Sequence, residues 1–241
     1  MTYCLALRLN EGLLFLSDTR TNAGVDNIST FRKLHVLQPG DDRVFVLQSA
    51  GNLATTQEVL DLLRRDLATE GESLASVNHL FEAALYLGRL NRQVAASHQA
   101  SLGADATATF LLGGQIAGER PDIFLVYPEG NYIHASDDLP FLQIGESKYG
   151  KVLLEVAVRQ HVDLRTATKV ALSSMVSTAR ANISVGPPYD AAIYRNGTLD
   201  VEEIRIEANS PYLSELGEAW FRHLLDGIHD LPPLPSELLP E

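Results

Sequence analysis

The sequence predicts an α+β fold in which two antiparallel sheets pack face to face with paired helices outside them. Three observations carry that expectation. The chain reads as strands, two helices, strands, two helices, strands and one helix, which is not the one-to-one alternation of a parallel sheet. Neighbouring strand candidates are joined by short turn signals, so they pair as hairpins. Runs such as "LLFL" and "VFVL" are apolar on both faces, as a sheet covered on both sides requires.

The elements follow in order. "TYCLALRL" and "GLLFLSD" flank the turn "NEG", and "FRKLHVLQ" and "RVFVLQS" flank "PGDD". The period then changes. Val59, Leu60, Leu63 and Leu67 recur at helical spacing from Asn52 to Leu67, with Thr55 and Glu58 read as a capping box. A second helix is expected from about Ser76 to about His98, where Leu80, Phe81, Ala84, Leu87 and Leu90 form one stripe. Strands return at "ATATFLLGG", at "DIFLVYPEGNYIHAS" with its turn "PEGN", and at "FLQIG". Helices follow over Lys148 to Arg159 and over Leu164 to Arg180, the latter capped by Asp163. A hairpin around "RNGT", a helix over Pro211 to Leu225 and the tail "PPLPSELLPE" complete the chain. One domain is expected over 1–230, followed by a Pro-rich tail over 231–241.

Composition narrows the function. The 241 residues are 45% hydrophobic and 21% charged, ordinary values for a globular protein. A formal net charge of −12 argues against nucleic acid or an anionic membrane as the main partner. The one cysteine, Cys4, allows no intrachain disulfide and no thiolate metal cluster, which suits a reducing cytoplasm. No run reaches membrane-spanning length and no secretory leader is seen.

Two loops invite chemistry. "GESKYGKV", Gly145 to Val152, approaches the phosphate-cradling G-x-x-x-x-G-K-[ST] pattern, but Val152 stands where Mg²⁺ needs a hydroxyl, and the flanking order is not a parallel α/β unit. A Gly-flanked strand-to-helix turn is the preferred reading over nucleotide hydrolysis. "SAGN", Ser49 to Asn52, leaves backbone N–H groups uncovered at a helix start, which suits either an oxyanion or an ordinary turn capped by Asn52.

The chain's second residue supplies the chemistry those loops lack. Removal of Met1 needs a small neighbour, which Thr2 provides, and the exposed residue then carries a hydroxyl and an α-amine together. An α-amine titrates near pH ~7.7–8 and acts as a base at neutral pH. A hairpin turning at "NEG" brings residue 2 opposite residues 18 to 20, hence Asp18 beside Thr2. Lys33, in the apolar strand "FRKLHVL", needs a partner, and Asp18 is the candidate. An ammonium near the Thr2 hydroxyl favours its deprotonated form.

With these residues together, "Thr2 … SDTRTNAG … Lys33 … SAG" resembles the proteasome β subunits and the related bacterial heat-shock-locus protease, both N-terminal-nucleophile hydrolases; the similarity is strongest to bacterial proteasome homologues and covers most of the chain. As in that family, the aspartate lies sixteen residues after the threonine and opens an Asp-Ser-Arg-x-x-x-Gly stretch, here Asp18, Thr19, Arg20 and Gly24. Lys33 falls one residue short of the usual distance, which implies a one-residue deletion between Val25 and Thr30.

The resemblance implies a four-layer αββα sandwich and a threonine peptidase confined in a homo-oligomeric ring, acting on peptide or unfolded protein. It implies Thr2 as nucleophile, Lys33 and Asp18 as its tuning pair, Gly51 N–H as oxyanion donor, and Ser184 as a further catalytic-site residue. Thr21, Phe31 and Ser49 are assigned to the substrate pocket, with His35, Leu53 and Gln57 as outer candidates. No cofactor or metal is implied, and an ATPase or adaptor partner is left open. A small-molecule amidase is one alternative, since this nucleophile class also cleaves non-peptide amides, and two departures favour another, a weak or inactive ring subunit. "GESKYG" replaces the family's Gly-Ser-Gly, and "RANISVG" keeps Arg180 and Ser184 but has Ala181 in place of an aspartate.

Overall fold

The computed structural model describes residues 2–22 and 28–238. Met1, Gly24 and Val25 lie outside the described residues, and with them the start of the inferred deletion. The chain divides into two compact units, Met1–Glu207 and Ala208–Glu241.

The first unit is built on two five-stranded antiparallel sheets. One contains β1 (Tyr3–Leu9), β2 (Gly12–Asp18), β10 (Phe141–Gly145), β11 (Tyr189–Arg195) and β12 (Val201–Ile206), in the order β10-β1-β2-β11-β12. The other contains β5 (Leu34–Gly40), β6 (Arg43–Gly51), β7 (Ala108–Ile116), β8 (Asp122–Val126) and β9 (Tyr132–His134), paired in sequence order. Two three-residue strands, β3 (Arg20–Asn22) and β4 (Ile28–Thr30), form a small ribbon of their own.

Strand alternation explains the layers. On β6, Val44 and Val46 face the first sheet, where they meet Leu13, Phe15 and Ala6 in a buried core. Phe45 and Leu47 point the other way, into a second core with Val59 and Leu63 of α1 (Leu53–Leu67) and Leu80 and Leu87 of α2 (Leu80–Leu102). Against the outer face of the first sheet lie α3 (Lys148–Ala157) and α4 (Leu164–Ala181). There the Tyr3 hydroxyl meets Ser174 Oγ at 2.7 Å, and burial pushes the Tyr3 phenol up to about 12. Gly150 lets α3 sit close, since a Cβ there would stand 2.1 Å from Ser174 Oγ. The architecture is the four-layer αββα sandwich expected from the resemblance. No helix among the described residues is long and apolar enough to cross a membrane.

Local boundaries moved where a cap decided them. Asn52, not Thr55, caps α1, its side chain accepting the Thr55 N–H at 3.1 Å. Thr55 is instead buried, and its hydroxyl donates to the Ala106 carbonyl at 2.8 Å. The second helix begins at Leu80 rather than near Ser76, because His79 and Glu82 form its capping box. Asp163 caps α4 as expected. In the second unit, α5 (Pro211–His229) starts at the expected proline, capped by Ser210, and runs four residues past Leu225.

Candidate active site

The first hairpin sets the geometry. Cys4 faces Ser17 across the β1–β2 ladder, so paired positions sum to 21 and Thr2 lies at the end where β2 finishes in Asp18. The Asp18 carboxylate is completely buried, and its Oδ1 accepts the Tyr3 N–H at 3.0 Å and the Lys33 ammonium at 2.6 Å. Lys33 Nζ also donates to the Arg20 carbonyl at 2.7 Å. Two acceptors therefore aim a lysine that is only 5% exposed, in a stretch before β5 with no regular structure of its own. Backbone bonds hold that stretch: Phe31 N–H to the Thr19 carbonyl, 2.7 Å, and Ser49 N–H to the Lys33 carbonyl, 3.1 Å.

Burial raises the Asp18 carboxyl above its ordinary value, opposed by the Lys33 ammonium and by the N–H groups of Tyr3 and Gly186. Gly186 belongs to the loop after α4, which packs on Arg20: the guanidinium donates to the Ile183 carbonyl at 2.7 Å, and a Cβ on Gly186 would stand 2.5 Å from Arg20 Cζ. Ser184 lies in this loop with its N–H on Asn182 Oδ1 at 3.0 Å, and it is not among the residues lining the cavity described below.

A cavity of about 350 Å³ opens over Thr2 and Lys33. Ser49 and Gly51 form one wall, with Thr21 and Phe31 beside them. The outer candidate Leu53 also lines it, whereas His35 and Gln57 do not. Ala50, Thr56, Gly145 and Glu146 contribute without having been singled out as pocket residues. Glu146 and Gly145 follow from pairing: Tyr3 faces Gly145 across β1 and β10, and the Glu146 N–H donates to the Thr2 carbonyl at 2.7 Å. Gly145, at φ +81°, passes so close that a Cβ would lie 1.9 Å from the Thr2 carbonyl oxygen. The "GESKYG" turn therefore seats the chain's start against β10.

Gly51 ends β6 at φ +118°. The Ser49 N–H points to the β5 side of β6, where it meets Lys33. Alternation directs the Gly51 N–H to the same side, beyond the point at which β5 begins at Leu34. Asn52 N–H instead reaches across to the Thr107 carbonyl, 2.9 Å, fixing the turn. The arrangement offers a hydroxyl, a buried cation and a backbone donor around one cavity, which suits nucleophilic attack on a carbonyl.

His35 points away from this chemistry and sets a pH limit on the fold. Its Nε2 is buried with no hydrogen-bond partner among the described residues, and burial, with Arg64 and Arg32 nearby, lowers its pKa to about 4. The unfolded chain takes that proton near pH ~6.5, so the unfolded state binds more protons between the two values. Stability from this group is complete above pH ~6.5 and falls as the pH drops toward 4, by up to about 3 kcal/mol. Urea unfolding at pH 7 and pH 5 should show a smaller loss in His35→Leu than in the unaltered protein; identical losses would exclude His35 as the source.

The proteasome subunit family matches residues 2–193. No curated protein matches the chain. Among solved structures, Anbu (ancestral beta-subunit) from Yersinia bercovieri is 46% identical, with a TM-score of 0.90 over 97% of this chain and 99% of that one. An Anbu (Gly-1) mutant from Hyphomicrobium sp. strain MC1 is 43% identical, with a TM-score of 0.91 over 98% and 100%. The Anbu complex from Pseudomonas aeruginosa, described as a helical assembly, is 41% identical, with a TM-score of 0.92 over 98% and 99%. On both the matched span and these identities, the chain belongs to the proteasome subunit family.

Proposed function

We propose that the protein is a threonine peptidase subunit whose nucleophile is Thr2, exposed by removal of Met1. The observation that supports it most is the buried Lys33, aimed by Asp18 and the Arg20 carbonyl into the cavity that Thr2 lines. The Thr2 α-amine takes the hydroxyl proton as Oγ attacks the peptide carbonyl, and the Lys33 cation favours the developing alkoxide. The tetrahedral oxyanion is received by the Gly51 N–H. Collapse breaks the C–N bond, the α-ammonium returns its proton to the departing amine, and an acyl ester on Thr2 remains. Water, deprotonated by the same amine, attacks the ester and releases the acid, restoring the hydroxyl. Ser184 is assigned to support the amine, where Ala181 leaves the family's aspartate missing.

The Anbu complex from P. aeruginosa is described as a helical assembly, and self-association of the same kind is proposed for this chain. Peptide or unfolded protein remains the proposed substrate. The intact mass of purified protein should show loss of one methionine and addition of one equivalent of an electrophilic peptide inhibitor. Thr2→Ala should lose that adduct and at least about 10³-fold of the turnover of fluorogenic peptides. Equal rates in variant and parent would end the nucleophile assignment. A non-catalytic assembly subunit is the second reading, favoured by Ala181, and it predicts a folded, assembled protein that no warhead labels.

A further inference from the structure

The cavity over Thr2 has a charge that its neighbours do not cancel. Two charged side chains line it, Lys33 and Glu146. Lys33 is neutralised at 2.6 Å by Asp18, which lies buried beneath. Glu146 has no ion-pair partner among the described residues, and it is only partly exposed. The other lining groups, including Thr21, Phe31, Ser49 and Leu53, are uncharged. The Thr2 amine must be neutral when it acts as a base, so the working cavity carries one net negative charge.

Its position makes that charge relevant to selection. Continuing the β1–β10 register one step beyond the Tyr3–Gly145 pair sets Glu146 opposite Thr2, and the 2.7 Å bond from its N–H to the Thr2 carbonyl holds it there. Glu146 lies just past the end of β10, after Gly145 at φ +81°, and it lines the same cavity as Thr2. Glu146 thus borders the cavity in which a scissile carbonyl must sit to meet Thr2 Oγ. A partly desolvated carboxylate favours a charge-assisted bond to an ammonium or guanidinium and repels an acidic side chain.

We propose that Glu146 is a specificity residue, its carboxylate receiving a cationic side chain, lysine or arginine, next to the scissile bond. The substrate class is therefore basic peptide segments. This rests on the peptidase reading above and narrows it.

The test uses the full-length protein and peptides identical except for one position on either side of the cleaved bond, occupied in turn by lysine, norleucine and glutamate. For the favoured side, kcat/KM should be about tenfold higher for lysine than for norleucine. Glu146→Gln should bring the two within about twofold, and Glu146→Lys should invert the order in favour of glutamate. A lysine-to-norleucine ratio that is the same in all three proteins overturns the proposal while leaving the peptidase reading intact. If no peptide is cleaved by any of them, the peptidase reading fails, and fluorescence anisotropy of the same peptides, labelled, still decides the charge preference: lysine peptide binding tighter to parent than to Glu146→Gln upholds it, and equal affinities overturn it.

Discussion

Lys33→Met is expected to abolish turnover and to weaken the fold in a pH-dependent way. The two effects share one cause. Asp18 is completely buried and its Oδ1 has two partners, the Tyr3 N–H and the Lys33 ammonium. Methionine has a similar length and fills the space, so packing is largely kept. What disappears is the counter-ion, and removing one member of a buried pair costs about 3–5 kcal/mol. Burial already raises the Asp18 carboxyl, and without the ammonium it rises further. A carboxyl with a raised folded-state pKa contributes stability below the unfolded value of about 3.9 and loses it as pH rises. The deficit of Lys33→Met should therefore grow from pH 5 to pH 8 in urea unfolding. Adding Asp18→Asn should restore most of the stability at pH 8, since the amide carries no charge, while turnover stays down by about 10³-fold or more. A variant that unfolds at the parent's urea concentration at pH 8 would mean the pair is not shielded from water, and one that turns over normally would remove Lys33 from the mechanism.

That pair was legible in the sequence because a hairpin is a local object. "NEG" fixes which residues face one another, and the observed sum of 21 lies within the range that the turn implies. A lysine within the largely apolar run "FRKLHVL" advertises its need for an anion, and Asp18 was the anion the hairpin made available. The layer order was legible for a related reason, since period-two and period-3.6 patterns persist over whole elements. The groups that complete the site are backbone atoms brought in from a distance. The Arg20 carbonyl, the Tyr3 N–H and the Gly186 N–H have no side-chain signature, so no residue type announces them. Glu146 was visible only within "GESKYG", a departure from a family pattern in which either it or Ser147 takes the serine's place. Its place in the cavity depends on the β1–β10 pairing, between strands more than a hundred residues apart. The Thr55 cap failed because burial of its hydroxyl against Ala106 competes with capping, and Asn52 stood ready one turn earlier. The β3–β4 ribbon, three residues per strand, is too short for any period to register.

Gly51→Ala should separate a structural from a chemical role for the oxyanion loop. Alanine keeps the backbone donor and can only displace it, and this glycine is held where displacement is unavoidable. At φ +118° an alanine is strained, and its methyl carbon would lie 2.5 Å from the Thr107 oxygen and 2.9 Å from Ala108 Cα. Both obstacles are backbone atoms, one at the first residue of β7 and one just before it; β7 is paired with β6 over its whole length and the Thr107 carbonyl is held by the Asn52 N–H, so neither can move aside cheaply. The β6 end must turn away from β7, and the Gly51 N–H with it. Strain of this kind costs about 1–3 kcal/mol, an amount the folded unit should survive. The chemical effect should be larger: loss of an oxyanion donor lowers kcat by about 10²–10³-fold. The substrate pocket walls Thr21 and Phe31 lie on another segment, so KM should change much less than kcat. Labelling by an electrophilic inhibitor should slow in parallel with kcat, because its adduct also develops negative charge on oxygen. If kcat survives while the unfolding midpoint falls, Gly51 only closes the turn into α1, and the oxyanion must be stabilised from elsewhere in the cavity.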